Sequence, residues 1–270
     1  MSDTDKPLDP SDEKRLKTRG SGMGKDYIPF ICIQDLSSSG ESIRIPGHTT
    51  GRAHHLLSGI ELGAFIIFDW NPQTRDIREQ FPIPVSDTLT ICQQLGIKHP
   101  QLRGKLKVVT TDLLIDFNSG RKMALAVKPV SELSDERTIE KLQIEKTYWE
   151  GCGVEWKLFT DREITKPMKE NLLWLRPALH DAPEQTVIDR EEITSLLGRL
   201  SEYAGLTATR ICARLDDQYG VEPGSHLQTL RYGIARHLIT APIQTSYHDW
   251  KCSELQQTSQ AITSVGAYAN

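Results

Sequence analysis

The chain has 270 residues, of which 38% are hydrophobic, and its 32 basic and 36 acidic side chains leave a formal net charge of −4. This length fits one large domain or two modest ones, and this composition excludes a disordered or fibrous protein. The most apolar stretch, residues 56–70, contains Glu61 and is too short to span a bilayer, and no signal-peptide core is found. Five cysteines without CxxC spacing argue against disulfides and structural zinc. We therefore expect a cytoplasmic protein that makes no membrane contact.

Residues 1–25 are rich in Pro, Asp, Ser and Gly and poor in apolar side chains, which predicts a flexible arm. Within this arm, residues 14–25 contain five bases and no acids. The arm is compatible either with a solvated tail or with a segment that contacts phosphates.

Apolar side chains recur every three or four positions over residues 54–70, which predicts a helix. Glu61 falls on the apolar face of that helix, where a carboxylate must be paired, neutralised or bound to a cation. Alternation then predicts a strand over residues 75–83, with Glu79 on its apolar face.

The clearest unit covers residues 105–130, where a short Asn-Ser-Gly turn joins two β-rich runs and predicts a hairpin. A turn centred on Ser119 places Asp112 opposite Ala126. Lys128 is then the diagonal neighbour of Asp112 on the same face, about 5–8 Å away. The hairpin is thus predicted to bring the side chains of Asp112 and Lys128 close together.

A helix is predicted over residues 135–150, with Ser134 as its N-cap, and residues 154–159 are predicted to form another strand. A strand–helix–strand connection of this kind gives a parallel pair. The order helix, three strands, helix, strand predicts an α/β domain over residues 26–165.

The character of the sequence changes after this domain. Residues 166–188 contain polar turns and prolines, which predict a linker. Residues 189–270 contain three helical patterns, the first opened by a capping box of Asp189 and Glu192, followed by an extended segment. This mostly α-helical region is compatible with a winged helix-turn-helix and equally with a small helical bundle that contacts proteins.

Glu61, Asp112 and Lys128 are charged residues on predicted regular elements, and the fold would bring the helix with Glu61 across the sheet with the other two. Two converging carboxylates repel each other unless a hard divalent cation such as Mg²⁺ lies between them, and its bound water can attack a phosphodiester. A buried Asp112–Lys128 ion pair, with Glu61 paired elsewhere, would produce the same pattern without any chemistry.

The element order and the Glu…Asp…x-Lys arrangement resemble the restriction-endonuclease-like PD-(D/E)xK core. Ordered matches over residues 24–175 more closely resemble the TnsA family, the endonuclease subunit of heteromeric bacterial cut-and-paste transposons. The matching stretches include GKDYIPF (24–30), GRAHHLLSGIEL (51–62), DIREQFP (76–82), VVTTDLLIDF (108–117) and AVKP (126–129). Past residue 180 the likeness is weaker, and a C-terminal winged-helix domain is implied by position only.

The resemblance implies site residues and one departure from the family pattern. The implied catalytic residues are Glu61, Asp112 and Lys128, and the implied metal ligands are Glu61, Asp112 and the carbonyl of Val127. Two residues before the lysine the superfamily has Asp or Glu and TnsA has Gln, whereas this chain has Ala126. We expect the missing contact to come from the Val127 carbonyl, a water or Glu79, with weaker metal binding or a single-metal site.

The resemblance also implies a function and partners. It implies Mg²⁺-dependent cleavage, with Mn²⁺ as a substitute, of the 5′-ends strands of transposon-end DNA, beside a TnsB-like transposase that cuts and joins the 3′ ends. A TnsC-like ATPase regulator would bind the C-terminal domain, and the protein would act at the bacterial nucleoid during transposition. Two alternatives stay open: a stand-alone PD-(D/E)xK restriction or repair nuclease, and a catalytically weak DNA-bridging scaffold.

Two further motifs are expected to have structural roles. Asp116 shares a face with Asp112 by the period of two, and we expect it in solvent near the turn rather than at a metal. The pair His54-His55 is expected to form a surface turn at the start of the first helix rather than to supply a general base.

Overall fold

The computed structural model describes residues 3–35, 41–180 and 190–258. Clustering of contacts divides the chain into two compact units, Met1–Ile164 and Thr165–Asn270. The capping box expected at Asp189 lies outside the described residues. None of the helices in the described ranges combines the length and the apolar composition that a bilayer span requires.

The first unit is built on a mixed four-stranded sheet. Its helices are α1 (Pro10–Leu16), α2 (Gly59–Trp70), α3 (Val85–Leu95) and α4 (Glu136–Gly151). Its strands are β1 (Ile43–Pro46), β2 (Ala53–Leu56), β3 (Thr74–Pro82), β4 (Gln101–Leu102), β5 (Lys105–Leu106), β6 (Thr110–Phe117), β7 (Lys122–Val127) and β8 (Glu155–Phe159). The central sheet has the order β3-β6-β7-β8, in which β7 and β8 are parallel and the other pairs antiparallel. Separate hairpins join β1 to β2 and β4 to β5.

Different helices cover the two faces of the central sheet. On one face the ring of Phe68 in α2 lies 6.4 Å from the ring of Phe117 in β6. On the other face Trp149 of α4 packs against Leu114 of β6. Because alternate residues of a strand point to the same face, Asp112 lies on the α4 face together with Leu114.

The hairpin of β6 and β7 has the predicted register. Leu113 pairs with Leu125 and Ile115 with Met123, so the next pair along the ladder is Asp112 with Ala126. The parallel pairing of β7 with β8 across α4 is also confirmed. The N-cap of α4 is Asp135 rather than Ser134, because the Asp135 carboxylate accepts the backbone N–H of Thr138 at 2.7 Å.

The prediction of one helix over residues 54–70 was wrong at its start. Residues 53–56 form β2, which pairs with β1, and α2 begins at Gly59 after the N-cap Ser58. The buried positions in β2 alternate, so the tertiary pairing overrides the helical spacing of the apolar residues. Between β3 and β6 the chain also forms α3 and the β4–β5 hairpin, which the sequence analysis did not predict.

The prediction of a flexible arm over residues 1–25 was wrong for its described part, in which Pro10–Leu16 form α1. Asp12 is 1% exposed and accepts hydrogen bonds from Lys107 Nζ at 2.7 Å and from the backbone N–H of Val108 at 3.1 Å. A seven-residue helix is not stable alone in water, so these contacts with a distant segment hold it.

The second unit is mostly helical. Its elements are α5 (Lys166–His180), α6 (Arg190–Ser201), α7 (Ala208–Tyr219), α8 (Ser225–Ala235), β9 (Ile239–Thr240) and β10 (Gln256–Gln257). The two short strands pair in antiparallel fashion. The linker predicted over residues 166–188 is therefore wrong for residues 166–180, since α5 buries Leu172 and Leu175 in the core of this unit.

Candidate active site

Asp112 of β6 is the centre of the candidate site, and three donors hold its carboxylate. The backbone N–H of Val127 donates to Oδ2 at 2.7 Å, and Lys128 Nζ donates to the same oxygen at 3.1 Å. The amide of Gln80 donates to Oδ1 at 3.3 Å. The structure therefore brings Asp112 and Lys128 together, because β7 pairs with β6 and ends at Val127.

Lys128 is held in its protonated form. Its Nζ also donates to the Val127 carbonyl at 2.8 Å. Burial acts to lower the pKa of Lys128, but the charge of Asp112 and the hydrogen bond to it prevail, so the pKa is raised. A lysine with a raised pKa is a cation at neutral pH, and it is suited to offset negative charge rather than to accept a proton.

Glu61 lies at the start of α2 and is positioned by the helix terminus. Ser58 Oγ accepts the backbone N–H of Glu61 at 3.1 Å and donates to the Glu61 carboxylate at 3.2 Å, and the N–H of Leu57 donates to it at 2.9 Å. The side chain is buried, and this burial, followed by the negative charge of Asp112, raises the pKa of Glu61 to about 8. No basic side chain in the described part of the chain forms an ion pair with Glu61.

Glu145 of α4 is a site residue that the sequence analysis missed. It is 5% exposed, and burial, followed by the charge of Asp112, raises the pKa of Glu145 to about 8. Its Oε1 is buried without a hydrogen-bond partner among the described residues. The signal was present in the sequence, because Glu145 lies between Leu142 and Trp149 on the apolar face of the predicted helix.

This donor set fits a hard divalent cation. Glu61 and Glu145 come from helices on opposite faces of the sheet, and burial, followed by the charge of Asp112, raises the pKa of both. A cation would relieve that repulsion, and carboxylate and carbonyl oxygens are the ligands that Mg²⁺ or Mn²⁺ prefers. The ligands would be Asp112, the Val127 carbonyl, Glu61 and Glu145. Across residues 3–35, 41–180 and 190–258, however, no three His, Cys, Asp or Glu side chains form a ready-made cation site, so a cation would have to draw these groups together.

Glu79, one expected source of the missing metal contact, is engaged elsewhere. Its carboxylate is fully buried and lies 2.6 Å from Arg52 Nη2 and 2.8 Å from His54 Nδ1. Burial acts to raise the pKa of Glu79, but the hydrogen bonds from Arg52 and His54 lower it to about 2. The residue of β3 that reaches Asp112 is Gln80 instead.

Two other expectations are corrected in the same way. His54 is not on a surface turn, because it is fully buried between Glu79 and the hydroxyl of Thr50. Asp116 is 1% exposed rather than in solvent, and it accepts hydrogen bonds from Arg78 at 3.0 Å and from Lys122 at 2.7 Å. Both side chains belong to buried hydrogen-bonded networks that contain charged groups.

A cleft of about 640 Å³ opens onto Asp112 and Lys128. One wall is formed by the first half of α4 and the other by the β4–β5 hairpin and the segment after it. Further basic residues that line the walls are Lys107, Arg137 and Lys141. Basic walls around a carboxylate centre fit a polyanion whose phosphate is brought to Asp112.

Comparison with known families agrees with this geometry. Residues 71–161 match the family model described as "TnsA-like endonuclease N terminal", and residues 163–243 match "TnsA endonuclease C terminal". This chain belongs to the TnsA endonuclease family. It is 40% identical over 245 residues to the transposon Tn7 transposition protein TnsA of Escherichia coli, a match that covers 90% of this chain and 89% of that protein.

As a member of the TnsA family, the protein is a DNA endonuclease of transposition. Asp112, Lys128 and Glu145 lie within the first matched range, and Glu61 precedes it. Membership suggests a divalent-metal requirement and work in a transposition complex with DNA and other transposition proteins.

Proposed function

We propose that this protein cuts the 5′-ends strands at transposon ends, with Glu61, Asp112 and Lys128 as its catalytic residues. The ligands of a Mg²⁺ ion, for which Mn²⁺ can substitute, would be Glu61, Asp112 and the Val127 carbonyl, with Glu145 as a fourth. The observation that carries the proposal is the centre itself, where Lys128 Nζ lies 3.1 Å from Asp112 Oδ2. Two further glutamates, each with a pKa raised to about 8, lie within the influence of the same aspartate.

The cation, Lys128 and the basic walls of the cleft would each contribute to this hydrolysis in a different way. A bound cation supplies a Lewis acid for a phosphate oxygen and a water that is more easily deprotonated. Lys128, kept as a cation by Asp112, offsets the negative charge that develops on the phosphate. The basic walls of the cleft hold the strand in register with Asp112, which lowers the entropic part of the barrier.

The proposed partners follow from the same family relationship. A TnsB-like transposase recognises transposon-end DNA and cuts the 3′ strands, and a TnsC-like ATPase regulator binds the second unit. The succession α6, α7, α8 and the β9–β10 ribbon supports a winged-helix-like domain for such contacts. The protein would work in the bacterial cytoplasm, at the nucleoid during transposition.

The decisive experiment reconstitutes excision with the full chain, its TnsB-like partner, Mg²⁺ and DNA that carries both ends. Wild type should produce double-strand breaks, whereas Asp112→Ala or Lys128→Ala should leave only the 3′-strand cuts. Lys146→Gln on the exposed part of α4 is the matched control and should cut normally. Normal excision by both site variants would refute the assignment, and cutting without any transposase would favour a stand-alone nuclease.

A scaffold subunit with little catalytic activity is the second candidate, and Ala126 is the observation that favours it. The position next to Asp112 on β7 carries no side-chain ligand, and Ala126 is fully buried. Calorimetric titration separates the two functions. Binding of Mg²⁺ or Mn²⁺ that disappears in Asp112→Ala supports the nuclease, and the absence of such binding supports the scaffold.

A further inference from the structure

Gln80 of β3 has a backbone conformation that glutamine rarely adopts. Its φ is +48°, in the left-handed region, although its neighbours Glu79 and Phe81 pair regularly with β6. A non-glycine residue keeps such a conformation only where its surroundings hold it there, and such residues concentrate at functional sites. The strained backbone marks Gln80 as a residue whose side-chain direction matters.

The register of the sheet places Gln80 directly beside Asp112. Glu79 pairs with Leu113 and Phe81 with Thr111, so Gln80 is the cross-strand neighbour of Asp112 on β3. On the other side, the neighbour of Asp112 on β7 is Ala126. Gln80 is 3% exposed and Ala126 is fully buried. Of these two flanking positions, only Gln80 brings a polar side chain to Asp112.

Hydrogen bonds hold the Gln80 amide at both ends. Its Nε2 donates to Asp112 Oδ1 at 3.3 Å, and its Oε1 accepts from the hydroxyl of Thr110 at 3.1 Å. Because a threonine hydroxyl both donates and accepts, the amide can turn over without losing its contact to Thr110. After that rotation Oε1 faces the Asp112 carboxylate, and an amide oxygen is a hard ligand suited to Mg²⁺ or Mn²⁺.

We infer that Gln80 is a metal ligand of this site, an inference that rests on the proposed nuclease function. In the structure its NH₂ group donates to the Asp112 carboxylate. When a divalent cation binds, the amide turns and its Oε1 joins Asp112 in holding the ion. Gln80 thus supplies, from β3, the side-chain oxygen that Ala126 does not supply from β7.

The test is calorimetric titration of the full chain with Mn²⁺ and with Mg²⁺. Gln80→Gly accepts the positive φ without strain, so it should fold at least as stably as wild type but bind Mn²⁺ at least tenfold more weakly. Gln80→Glu keeps an oxygen ligand and should bind Mn²⁺ as well as wild type or better. Equal affinities for wild type and Gln80→Gly, at unchanged melting temperature, would overturn the inference.

A second measurement observes the side chain directly. In the full chain with ¹⁵N label, saturating Mg²⁺ should shift the side-chain NH₂ resonances of Gln80, because the amide turns away from Asp112, while those of the exposed Gln143 stay in place. Unchanged Gln80 resonances at saturating Mg²⁺ would contradict coordination. Asp112→Ala distinguishes a wrong role for Gln80 from a wrong nuclease site. If that variant binds Mn²⁺ normally, the proposed nuclease site is wrong, whereas loss of binding in Asp112→Ala but not in Gln80→Gly refutes only the role of Gln80.

Discussion

Two aspartates on the same face of β6 have opposite electrostatic surroundings. Asp116 lies within reach of three basic side chains, Lys122 at 2.7 Å, Arg78 at 3.0 Å and Arg75 at 3.5 Å. Asp112, four positions earlier on β6, has one ion-pair partner among the described residues, Lys128. Burial, and after it the charge of Asp112, raises the pKa of Glu61 and of Glu145.

This difference separates Asp116, which has a structural role, from Asp112, which is suited to a catalytic one. A buried carboxylate with matching bases is neutralised within the protein, and it needs no further partner. A carboxylate beside other carboxylates keeps an unbalanced negative potential, and groups with perturbed pKa values in a cleft are candidates for a functional site. The cleft opens at Asp112, where a cation and a phosphate can approach.

The largest expected effect on catalysis comes from a substitution at Asp112, near the start of β6. Asp112→Asn should lower the rate of 5′-strand cleavage on the order of 10³-fold, because the variant loses the charge that binds the cation and orients Lys128. Its free energy of unfolding should change little, since an asparagine oxygen can still accept the hydrogen bonds that Val127 and Lys128 donate. Single-turnover cleavage and denaturant titration measure the two quantities. If Asp112→Asn unfolds easily but cleaves normally, Asp112 has a structural role and not a catalytic one.

The same substitution at Asp116, near the end of β6, should lower stability and leave cleavage unchanged. Asp116→Asn takes from the buried Arg78 the carboxylate that lies 3.0 Å away and leaves it with Asp76 at 3.4 Å, and we expect a loss of about 2 to 3 kcal/mol in the free energy of unfolding. The cleavage rate of the folded protein should stay near that of wild type. Urea titration with a parallel cleavage assay tests this, and a catalytic loss without destabilisation would place Asp116 at the site.

The metal-free protein should lose stability as the pH rises toward 8. Burial raises the pKa of Glu61 and of Glu145 to about 8, so the folded state binds more protons than the unfolded state above pH 4.5. Their contribution is complete below the unfolded pKa and disappears as the pH rises through the folded pKa, by at most about 1.4 kcal/mol per pH unit for each glutamate. Melting temperatures from pH 5 to pH 9 measure the slope. Glu61→Gln should flatten it, and an unchanged slope in that variant would contradict the assignment.

The smallest expected effect concerns the basic walls of the cleft. The double substitution Arg137→Gln and Lys141→Gln should weaken binding of a short DNA duplex about three- to tenfold. It should also lower the slope of log affinity against log salt by about 1.8 if each side chain contacts one phosphate. Fluorescence anisotropy of the full chain at several salt concentrations measures both, with Lys146→Gln as the control on the same helix. An unchanged salt slope would show that DNA does not lie against this wall.

The sequence by itself determined the parts of this protein that depend on neighbouring residues. A short turn between alternating runs set the register that pairs Asp112 with Ala126, and the same alternation placed Lys128 beside Asp112. The position of Glu61 on the apolar face of a helix predicted a role at the site, because a buried carboxylate must be paired, neutralised or bound to a cation. The family resemblance over residues 24–175 agrees with the matches to the TnsA models.

Only the tertiary structure decided which polar groups meet at the site. The pairing of β3 with β6 brings Gln80 rather than Glu79 to Asp112, and the packing of α4 on the sheet brings Glu145 near the same carboxylate. The helix of residues 10–16 forms only because Asp12 binds a segment that lies far away in the chain. Local periodicity cannot specify such contacts, since burial and pairing between distant segments depend on how the whole unit packs.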